Sequence, residues 1–540
     1  MNTKQTKLKP IIDICNNIGI QDDEIELYGK YKAKINLNIF KRLETKSNGR
    51  LILISAITPT KKGEGKSTIT IGLSQAINKL GHTSIAALRE PSMGPVFGLK
   101  GGATGGGASQ VLPMEDINLH FTGDFHAITA AHNLISAAID NHIYWGNELN
   151  IDTENIYFKR VLDTNDRALR DITINDKKYE RQASFQITVA SELMAILCLC
   201  ESLSELKEKI EKIVVAKDVN NNLITVKDLN IAGSCAVILK DAIKPNIVQT
   251  TENTPVLIHG GPFANIAHGC NSIIATNLAL KLSDYTVTEA GFAADLGAEK
   301  FFDIKCRKAD ITPDAVVLVI TCRAVKENSL ENIKAHIENL QNFNIPIIPC
   351  INHFSGDNEN DINEIITYVE NLGYKCILTD SYSKGGEGTL ELASTVIDTI
   401  NEKDSYSNED VEKKAIKNFE YLYSLDTDIK EKIEILAKTI YRAEKVEYSD
   451  LALQKINYFD EKISKLPICI SKTPISISDK PDIKGVPSNY TFNVKDIRPS
   501  FGAGFVVVMC GNIIDMPGLP KIPAANFIDI DENQEVVGLF

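Results

Sequence analysis

The stretch from 51 to 88 constrains the fold of this 540-residue chain more than any other part of it. The apolar, β-branched run from Leu51 to Ile57 is typical of a strand that is buried on both faces. After a loop, apolar residues recur at helical spacing between Ser67 and Leu80. A second apolar run follows at 84–88, so the segment predicts a strand–helix–strand unit in a parallel sheet. Such a sheet binds ligands at the carboxyl ends of its strands.

The same alternation returns later in the chain. Apolar runs at 315–320, 345–351 and 374–378 predict strands, and the intervening segments 331–343 and 362–372 have helical periodicity. We therefore predict a multi-domain α/β protein with a doubly wound, mostly parallel sheet that contains a phosphate loop, and with smaller additional lobes. The predicted parts are an α/β core at 1–360 with a mostly helical insertion at about 150–226, a second α/β lobe at 361–471 and a C-terminal lobe at 472–540. In the C-terminal lobe, Phe505 to Met509 reads as a buried strand.

Charge and cysteine usage exclude several classes of function. The 58 Lys and Arg residues against 71 Asp and Glu residues give a net charge of −13, which repels nucleic acids and anionic membranes. The sequence contains no run of about 18 apolar residues, so no membrane span is predicted. The eleven cysteines are scattered without metal or redox spacing. We therefore expect a cytoplasmic protein with reduced, mostly buried thiols that binds neither nucleic acid nor membrane.

The loop between the first strand and its helix has the composition of a phosphate site. Its residues are Thr60, Lys61, Lys62, Gly63, Glu64, Gly65, Lys66 and Ser67. Backbone N–H groups at such a helix start bind phosphates, while Lys66 would reach the terminal phosphates and Ser67 would hold Mg²⁺. The strict phosphate-loop pattern fails because Thr60 stands where a glycine is expected. The loop resembles the variant with an extra lysine, here Lys61, in relatives of dethiobiotin synthetase and nitrogenase iron protein. The alternative is a plain strand-to-helix turn.

Arg89 and Glu90 follow the second strand and face the same crevice as the loop. A guanidinium there can bind a phosphate or a carboxylate through two parallel hydrogen bonds, although a structural salt bridge with Glu90 is the alternative. The segment from Gly98 to Gly107 contains six glycines, which allow close approach of a ligand or a change of conformation. A polar cluster with His120 and Asp124 follows. Acid–base, substrate-orienting and structural roles remain open for it.

The runs quoted above, together with His259–Gly269, Gly291–Lys300, Gly502–Phe505 and 516–521, resemble formate–tetrahydrofolate ligases over nearly the whole chain. The resemblance implies an enzyme of one-carbon metabolism that joins formate to tetrahydrofolate. The products are 10-formyltetrahydrofolate, ADP and phosphate, and the intermediate is formyl phosphate. It further implies ATP and Mg²⁺, stimulation by a monovalent cation (K⁺ or NH₄⁺) and a homotetramer. In this scheme Lys66 with Mg²⁺ neutralises the transferring phosphoryl group, and Arg89 holds formate and then formyl phosphate.

Two aromatic residues stand where the resemblance expects the folate site. Phe354 and Tyr382 each come just after a predicted strand, so both would project over one sheet edge and could sandwich a planar pterin. The family usually has Trp at the position of Tyr382, and a phenol stacks with less area than an indole. Two ordinary core aromatics are the alternative. His259 and His268 flank a Gly-rich turn after the run at 255–258, where an active-site place and a structural hydrogen-bond role are both open.

Two rival functions remain at this stage. A dethiobiotin-synthetase-like ligase of another carboxylate would lack the aromatic pair. A nucleotide-switched ATPase of the iron-protein type would hydrolyse ATP without either small substrate and would respond to a protein partner, but it has no obvious use for the Gly-rich and His-rich segments.

Overall fold

A computed structural model describes residues 8–98, 104–409 and 418–539. In this part of the chain a twelve-stranded sheet lies at the centre. Its parallel strands are, in chain order, β1 (Arg50–Ala56), β2 (Ser84–Leu88), β3 (Pro255–Ile258), β4 (Tyr285–Glu289), β5 (Ala315–Ile320), β6 (Ile347–Asn352) and β7 (Ile377–Thr379). Their spatial order is β3-β2-β4-β1-β5-β6-β7. The predicted α/β class with a mostly parallel sheet is confirmed.

The apolar runs arise because the sheet is covered on both faces. Ile52 and Ile54 of β1 pack in one cluster with Leu73 of the following helix, α1 (Lys66–Lys79). The alternating residues Leu51 and Leu53 belong to a second cluster on the opposite face. A strand that is buried on both faces has no solvent-facing positions for polar residues. Its sequence is therefore continuously apolar.

Antiparallel strands extend one side of the sheet beyond β3. They are Ile25–Leu27, Ala33–Ile35, Gly105–Gly106, Ser109–Leu112 and Asn246–Thr250. The helices that cover the sheet and build the lobes include Ile11–Asn17, Met93–Gly98, Asp124–Tyr144, Ile273–Leu282, Cys322–Asn328, Glu331–Gln341, Glu359–Asn371, Ser381–Lys384, Leu390–Glu409, Ile429–Thr439 and Asp450–Ile463. Two π-helical segments, Ala294–Ala298 and Phe301–Cys306, follow β4.

The prediction that the insertion at about 150–226 is mostly helical is wrong. It contains the strands Ile151–Ile156, Arg160–Leu162, Ile172–Asn175, Glu180–Ala183, Phe185–Ile187, Val214–Asp218 and Leu223–Thr225, and its α-helices are Glu192–Cys198 and Leu203–Glu211. At least one of these strands shows a period-two pattern that sequence reading missed. In Ile172–Asn175, the two isoleucines are half-buried while Thr173 and Asn175 are exposed, which is a strand pattern.

Small sheets complete the C-terminal part. The strand predicted at Phe505–Met509 is confirmed and lies between Ile468–Ser471 and Asp496–Ser500. Lys445–Tyr448 pairs with Thr491–Val494, and Asp529–Ile530 pairs with Val536–Val537. The predicted domain boundaries stay predictions, and β7 belongs to the central sheet although it lies beyond residue 360.

The eleven cysteines are all buried as free thiols. Within the described ranges, no helix combines the length and apolar composition needed to cross a bilayer.

Candidate active site

Six of the parallel strands supply polar or aromatic residues at their carboxyl ends, and these ends meet at one edge of the sheet. The predicted phosphate loop follows β1, Arg89 follows β2, and Glu289 ends β4. Arg323 comes after β5, Phe354 after β6 and Tyr382 after β7. The edge lies around β1 and β4, where strands that are consecutive in space are not consecutive in the chain, which is the usual ligand crevice of open α/β sheets.

The loop from Thr60 to Ser67 is shaped by two glycines and by a buried carboxylate. Gly63 and Gly65 have φ values of +77° and +73°, a region in which a side chain is strained. The carboxylate of Glu64 is buried and accepts a hydrogen bond from the backbone N–H of Thr60 at 2.6 Å. It also accepts from the hydroxyl of Thr321 and from the Nε of Arg323. Glu64 therefore closes the loop from inside, while Lys61 and Lys62 are exposed and Lys66 is half-buried.

Asn352, at the end of β6, contacts the same loop. Its Nδ2 donates a hydrogen bond to the carbonyl of Glu64 at 3.0 Å. A Cβ at Gly65 would lie 2.3 Å from that nitrogen, so only glycine fits beside it. The sheet edge thereby holds the loop against the start of α1, where the backbone N–H groups of the first turn have no intrahelical partners.

Ser67, Glu289 and Arg89 form a chain of polar contacts across β1, β4 and β2. The hydroxyl of Ser67 donates to Oε2 of Glu289 at 2.8 Å. The other carboxylate oxygen, Oε1, lies 3.9 Å from Nη2 of Arg89. Glu289 is buried, and Arg89 also donates from Nη1 to the carbonyl of Pro262 at 3.3 Å. The hydroxyl and the carboxylate are hard oxygen donors of the kind that Mg²⁺ prefers.

Unsatisfied polar atoms lie close to Arg89. Its Nε has no hydrogen-bond partner among the described residues, and the same holds for both ring nitrogens of the fully buried His268. Burial lowers the pKa of His268 well below its usual value, and the positive charges of Lys305 and Lys300 lower it further. Buried polar atoms without partners are rare in folded proteins, so these atoms are suited to contact a polar ligand or water.

His259 differs from His268 because both of its ring nitrogens are engaged. Nε2 lies 2.7 Å from the carbonyl of Ala242, which can only accept, and Nδ1 lies 2.7 Å from the hydroxyl of Ser272. The ring is therefore neutral with its proton on Nε2, and burial lowers the pKa of His259 to about 4. Of the two roles that the sequence left open for His259, the geometry is that of a structural hydrogen-bond partner.

Glu90, Asp124 and His120 lie in different environments. Asp124 is buried in an ion pair with Lys34 at 2.7 Å and accepts from Nδ2 of Asn246 at 2.8 Å. Burial raises the pKa of the Glu90 carboxyl well above its usual value, and the charge of Asp124 adds to the effect. His120 is exposed on the turn before Asp124–Tyr144. The salt bridge between Arg89 and Glu90, which was the alternative to a ligand-binding role, is not the arrangement found, since Arg89 pairs with Glu289 instead.

Phe354 lies over a guanidinium. The Arg323 Cζ is 4.1 Å from the centre of the Phe354 ring, and the Arg323 side chain also donates to the Gly63 carbonyl and to the Glu64 carboxylate. Phe354 is half-buried, and its backbone N–H donates a hydrogen bond to Oδ2 of Asp357 at 2.8 Å. The Phe354 ring therefore differs from an ordinary core aromatic, because one of its faces lies against a cation and the residue is partly exposed.

Tyr382 rests on the glycine-rich hairpin. The residue is 56% exposed, and a Cβ at Gly106 or Gly107 would lie 3.1 Å from its ring carbons. The carbonyl of Tyr382 accepts a hydrogen bond from the N–H of Ala108 at 2.8 Å. Glycine at 106 and 107 thus lets the ring approach the hairpin backbone. Residues 99–103 of the same glycine-rich run lie outside the described residues.

Sequence reasoning missed Glu289 and Arg323. Glu289 follows Tyr-Thr-Val-Thr, an alternating β-branched run that predicts a strand, and an acidic residue at a strand end beside a phosphate loop is a signal of function. Arg323 comes three residues after the correctly predicted strand β5. Both residues lie at or just after the carboxyl end of a strand, which is the position that indicated a functional role for Arg89.

The crevice at the carboxyl ends of the strands combines a phosphate-type loop, the half-buried Arg89 and the at least partly exposed aromatic residues Phe354 and Tyr382. A comparison with protein-family models agrees with it: the model described as formate–tetrahydrofolate ligase matches residues 2–540, nearly the whole chain. Enzymes of this family carry out the ATP-dependent formylation of tetrahydrofolate by formate in one-carbon metabolism. The chain belongs to the formate–tetrahydrofolate ligase family.

Proposed function

We propose that the described crevice is the centre at which this chain activates formate with ATP and transfers the formyl group to tetrahydrofolate. The observation that carries the proposal is the convergence of Ser67, Glu289 and Arg89 across three neighbouring strands. A nucleotide site and a carboxylate site that share one buried glutamate are close enough for a phosphoryl group to pass from one ligand to the other.

In the nucleotide half, the backbone N–H groups from Gly63 to Ser67 bind the phosphates, and Lys66 neutralises the transferring group. Mg²⁺ suits the oxygen donors of Ser67 and Glu289, which would hold it, and when bound it offsets the negative charge of the phosphates. Lys61 and Lys62 are exposed and are positioned to add long-range attraction for the nucleotide.

In the formate half, Arg89 binds the carboxylate and orients one of its oxygens toward the γ-phosphate. Attack of that oxygen forms formyl phosphate and releases ADP. The ring of His268, which has no hydrogen-bond partner among the described residues, serves this half as a neutral hydrogen-bonding group. The N10 amine of tetrahydrofolate then attacks the formyl carbon, and phosphate leaves as 10-formyltetrahydrofolate forms.

Phe354 and Tyr382 provide the aromatic surfaces for the pterin. Both rings belong to the ends of adjacent strands, since Asn352 of β6 pairs with Thr379 of β7. The exposed area of Tyr382 is suited to stacking against a planar ligand. Stimulation by K⁺ or NH₄⁺, a homotetramer and a cytoplasmic location are further parts of the proposal, and they rest on membership of the family.

The test is ADP release by the purified protein with Mg²⁺-ATP and K⁺, in the presence of formate alone, tetrahydrofolate alone, or both. The product is followed by its absorbance after acidification. Turnover that needs both substrates is expected. Hydrolysis that needs neither substrate would favour a nucleotide-switched ATPase, and turnover of an acid without folate would favour a ligase with another acceptor.

A further inference from the structure

We propose that Arg323 is a positioning residue that couples nucleotide binding at the loop to tetrahydrofolate binding at Phe354. The inference rests on the proposed function, because it assumes that the loop binds ATP and that Phe354 faces the folate.

Arg323 touches both halves of the site at once. Its guanidinium donates to the carbonyl of Gly63 and, from Nε at 3.1 Å, to the carboxylate of Glu64. One face of the same planar group lies 4.1 Å from the centre of the Phe354 ring. Because the guanidinium is rigid, any movement of the loop that shifts the Gly63 carbonyl also turns the surface on which the ring rests.

The loop is the element that the phosphates would contact in the proposed site. Gly63 and Gly65 both have positive φ values in the left-handed region, and neither carries a side chain that would restrict its backbone. The Glu64 carboxylate, in turn, is buried and held by Thr60 and Thr321, so it provides a fixed anchor for the guanidinium. Nucleotide binding therefore selects one orientation of Arg323 from those that the loop allows.

The hydrogen bonds around Phe354 fix its main chain rather than its ring. Its backbone is held by Asp357 and by the neighbouring strand end, where the N–H of His353 donates to the carbonyl of Thr379 at 3.0 Å. These bonds leave the ring torsions to side-chain contacts, among which the Arg323 guanidinium is a contact that also bonds the loop. A ring that is already oriented costs less entropy on stacking, so nucleotide binding should tighten tetrahydrofolate binding, and by reciprocity tetrahydrofolate should tighten nucleotide binding.

Asn352 provides a second link between the sheet edge and the loop, but of a different kind. Its bond to the Glu64 carbonyl fixes the strand end against the loop backbone and does not involve the ring. If Asn352 carried the coupling, changes at Arg323 that leave the loop folded would have no effect on it. This difference separates the proposal from a general stiffening of the site.

The experiment measures the dissociation constant of tetrahydrofolate with and without Mg²⁺ and the non-hydrolysable analogue β,γ-imido-ATP. The ratio of the two constants is the coupling factor. We expect a factor of at least about fivefold in the natural protein, the lower end of usual coupling between sites. Arg323→Lys keeps the charge but loses the planar fork, and we expect its factor to fall to about one.

Arg160→Lys is the matched control. Arg160 lies in the insertion and bonds Asp140 of the helix Asp124–Tyr144, and its side chain is 24% exposed, against 31% for Arg323. Its coupling factor should equal that of the natural protein. Phe354→Leu is the second test variant, because it removes the ring and leaves the bonds of Arg323 to the loop intact. It should lose the coupling while the affinity for the ATP analogue without folate is unchanged.

Two results would overturn the inference: a factor of about one in the natural protein, or an unchanged factor in Arg323→Lys. Failure of the proposed function has a different signature. In that case Phe354→Leu would leave tetrahydrofolate binding unchanged even without nucleotide, or the natural protein would not formylate tetrahydrofolate.

Discussion

Replacement of Glu289 by glutamine tests the link between the nucleotide and formate halves of the site. The substitution keeps the shape of the side chain and removes its charge. The carboxylate accepts the Ser67 hydroxyl at 2.8 Å and lies 3.9 Å from Arg89, so the change reaches both halves. One effect lowers kcat, and the other lowers the KM for formate.

The first effect is a loss of catalysis. The amide of Glu289→Gln would hold the Ser67 hydroxyl with a neutral oxygen and would offer Mg²⁺ a weaker donor. Loss of one preorganised electrostatic group of this kind lowers kcat by about 100-fold, which corresponds to about 3 kcal/mol. The effect belongs to the transition state, where the phosphoryl group is in transfer.

The second effect is tighter binding of formate. At 3.9 Å and an effective dielectric constant of about 20, Glu289 attracts Arg89 by about 4 kcal/mol. Formate competes with that attraction for the same guanidinium. Because Arg89 is partly solvated, only part of the attraction is recovered, and we expect the KM for formate to fall by about tenfold, or about 1.4 kcal/mol.

The assay is steady-state formylation with formate varied at saturating ATP and tetrahydrofolate, together with thermal melting of the variant. Asp515→Asn is the control, since Asp515 is also buried and also lies near two cations, Lys159 and Arg498, at 2.8 and 2.9 Å. It should leave kcat and the KM for formate unchanged. A folded Glu289→Gln protein with kcat near that of the natural enzyme would refute the role in catalysis. A raised KM for formate would refute the competition between Glu289 and formate.

Three further predictions concern the loop, the aromatic site and stability. Lys66→Ala should abolish ATP-dependent turnover while the melting temperature stays the same, because a half-buried loop lysine contributes little to the core; a folded variant with near-normal kcat would contradict this. Tyr382→Ala should weaken tetrahydrofolate binding by about 1–3 kcal/mol, by analogy with stacked bases, and leave ATP affinity unchanged; isothermal titration with each ligand checks both parts. Burial lowers the pKa of His259 from 6.5 to about 4, so the unfolded chain binds the extra proton between these values and stability falls as the pH drops through that window. The loss attributable to this residue is about 2 kcal/mol at about pH 5. The melting temperature of His259→Gln should therefore decline less between about pH 7 and pH 5 than that of the natural protein, and an equal decline would count against a neutral His259.

Much of the local structure follows from patterns that act over a few residues. Strands β2, β3 and β5 have the bounds that the apolar runs predict, and helix α1 begins within one residue of its predicted start. The insertion at about 150–226 shows the opposite case. There the pattern was interpreted as mostly helical, but strands such as Ile172–Asn175 bury alternate side chains only because partner strands are present.

The sequence alone determined the class of sheet, the phosphate-type loop and the family resemblance, because these depend on neighbouring residues and on long runs of matching motifs. Which side chains meet was decided only by the tertiary structure. Ser67 and Glu289 are 222 residues apart and become hydrogen-bonded because β4 inserts between β1 and β2. His259 and His268 look alike in sequence, and they differ because Ala242 and Ser272 occupy both nitrogens of the first while none of the described residues bonds the second. Strand order and burial set these pairings, and both are properties of the packed chain as a whole.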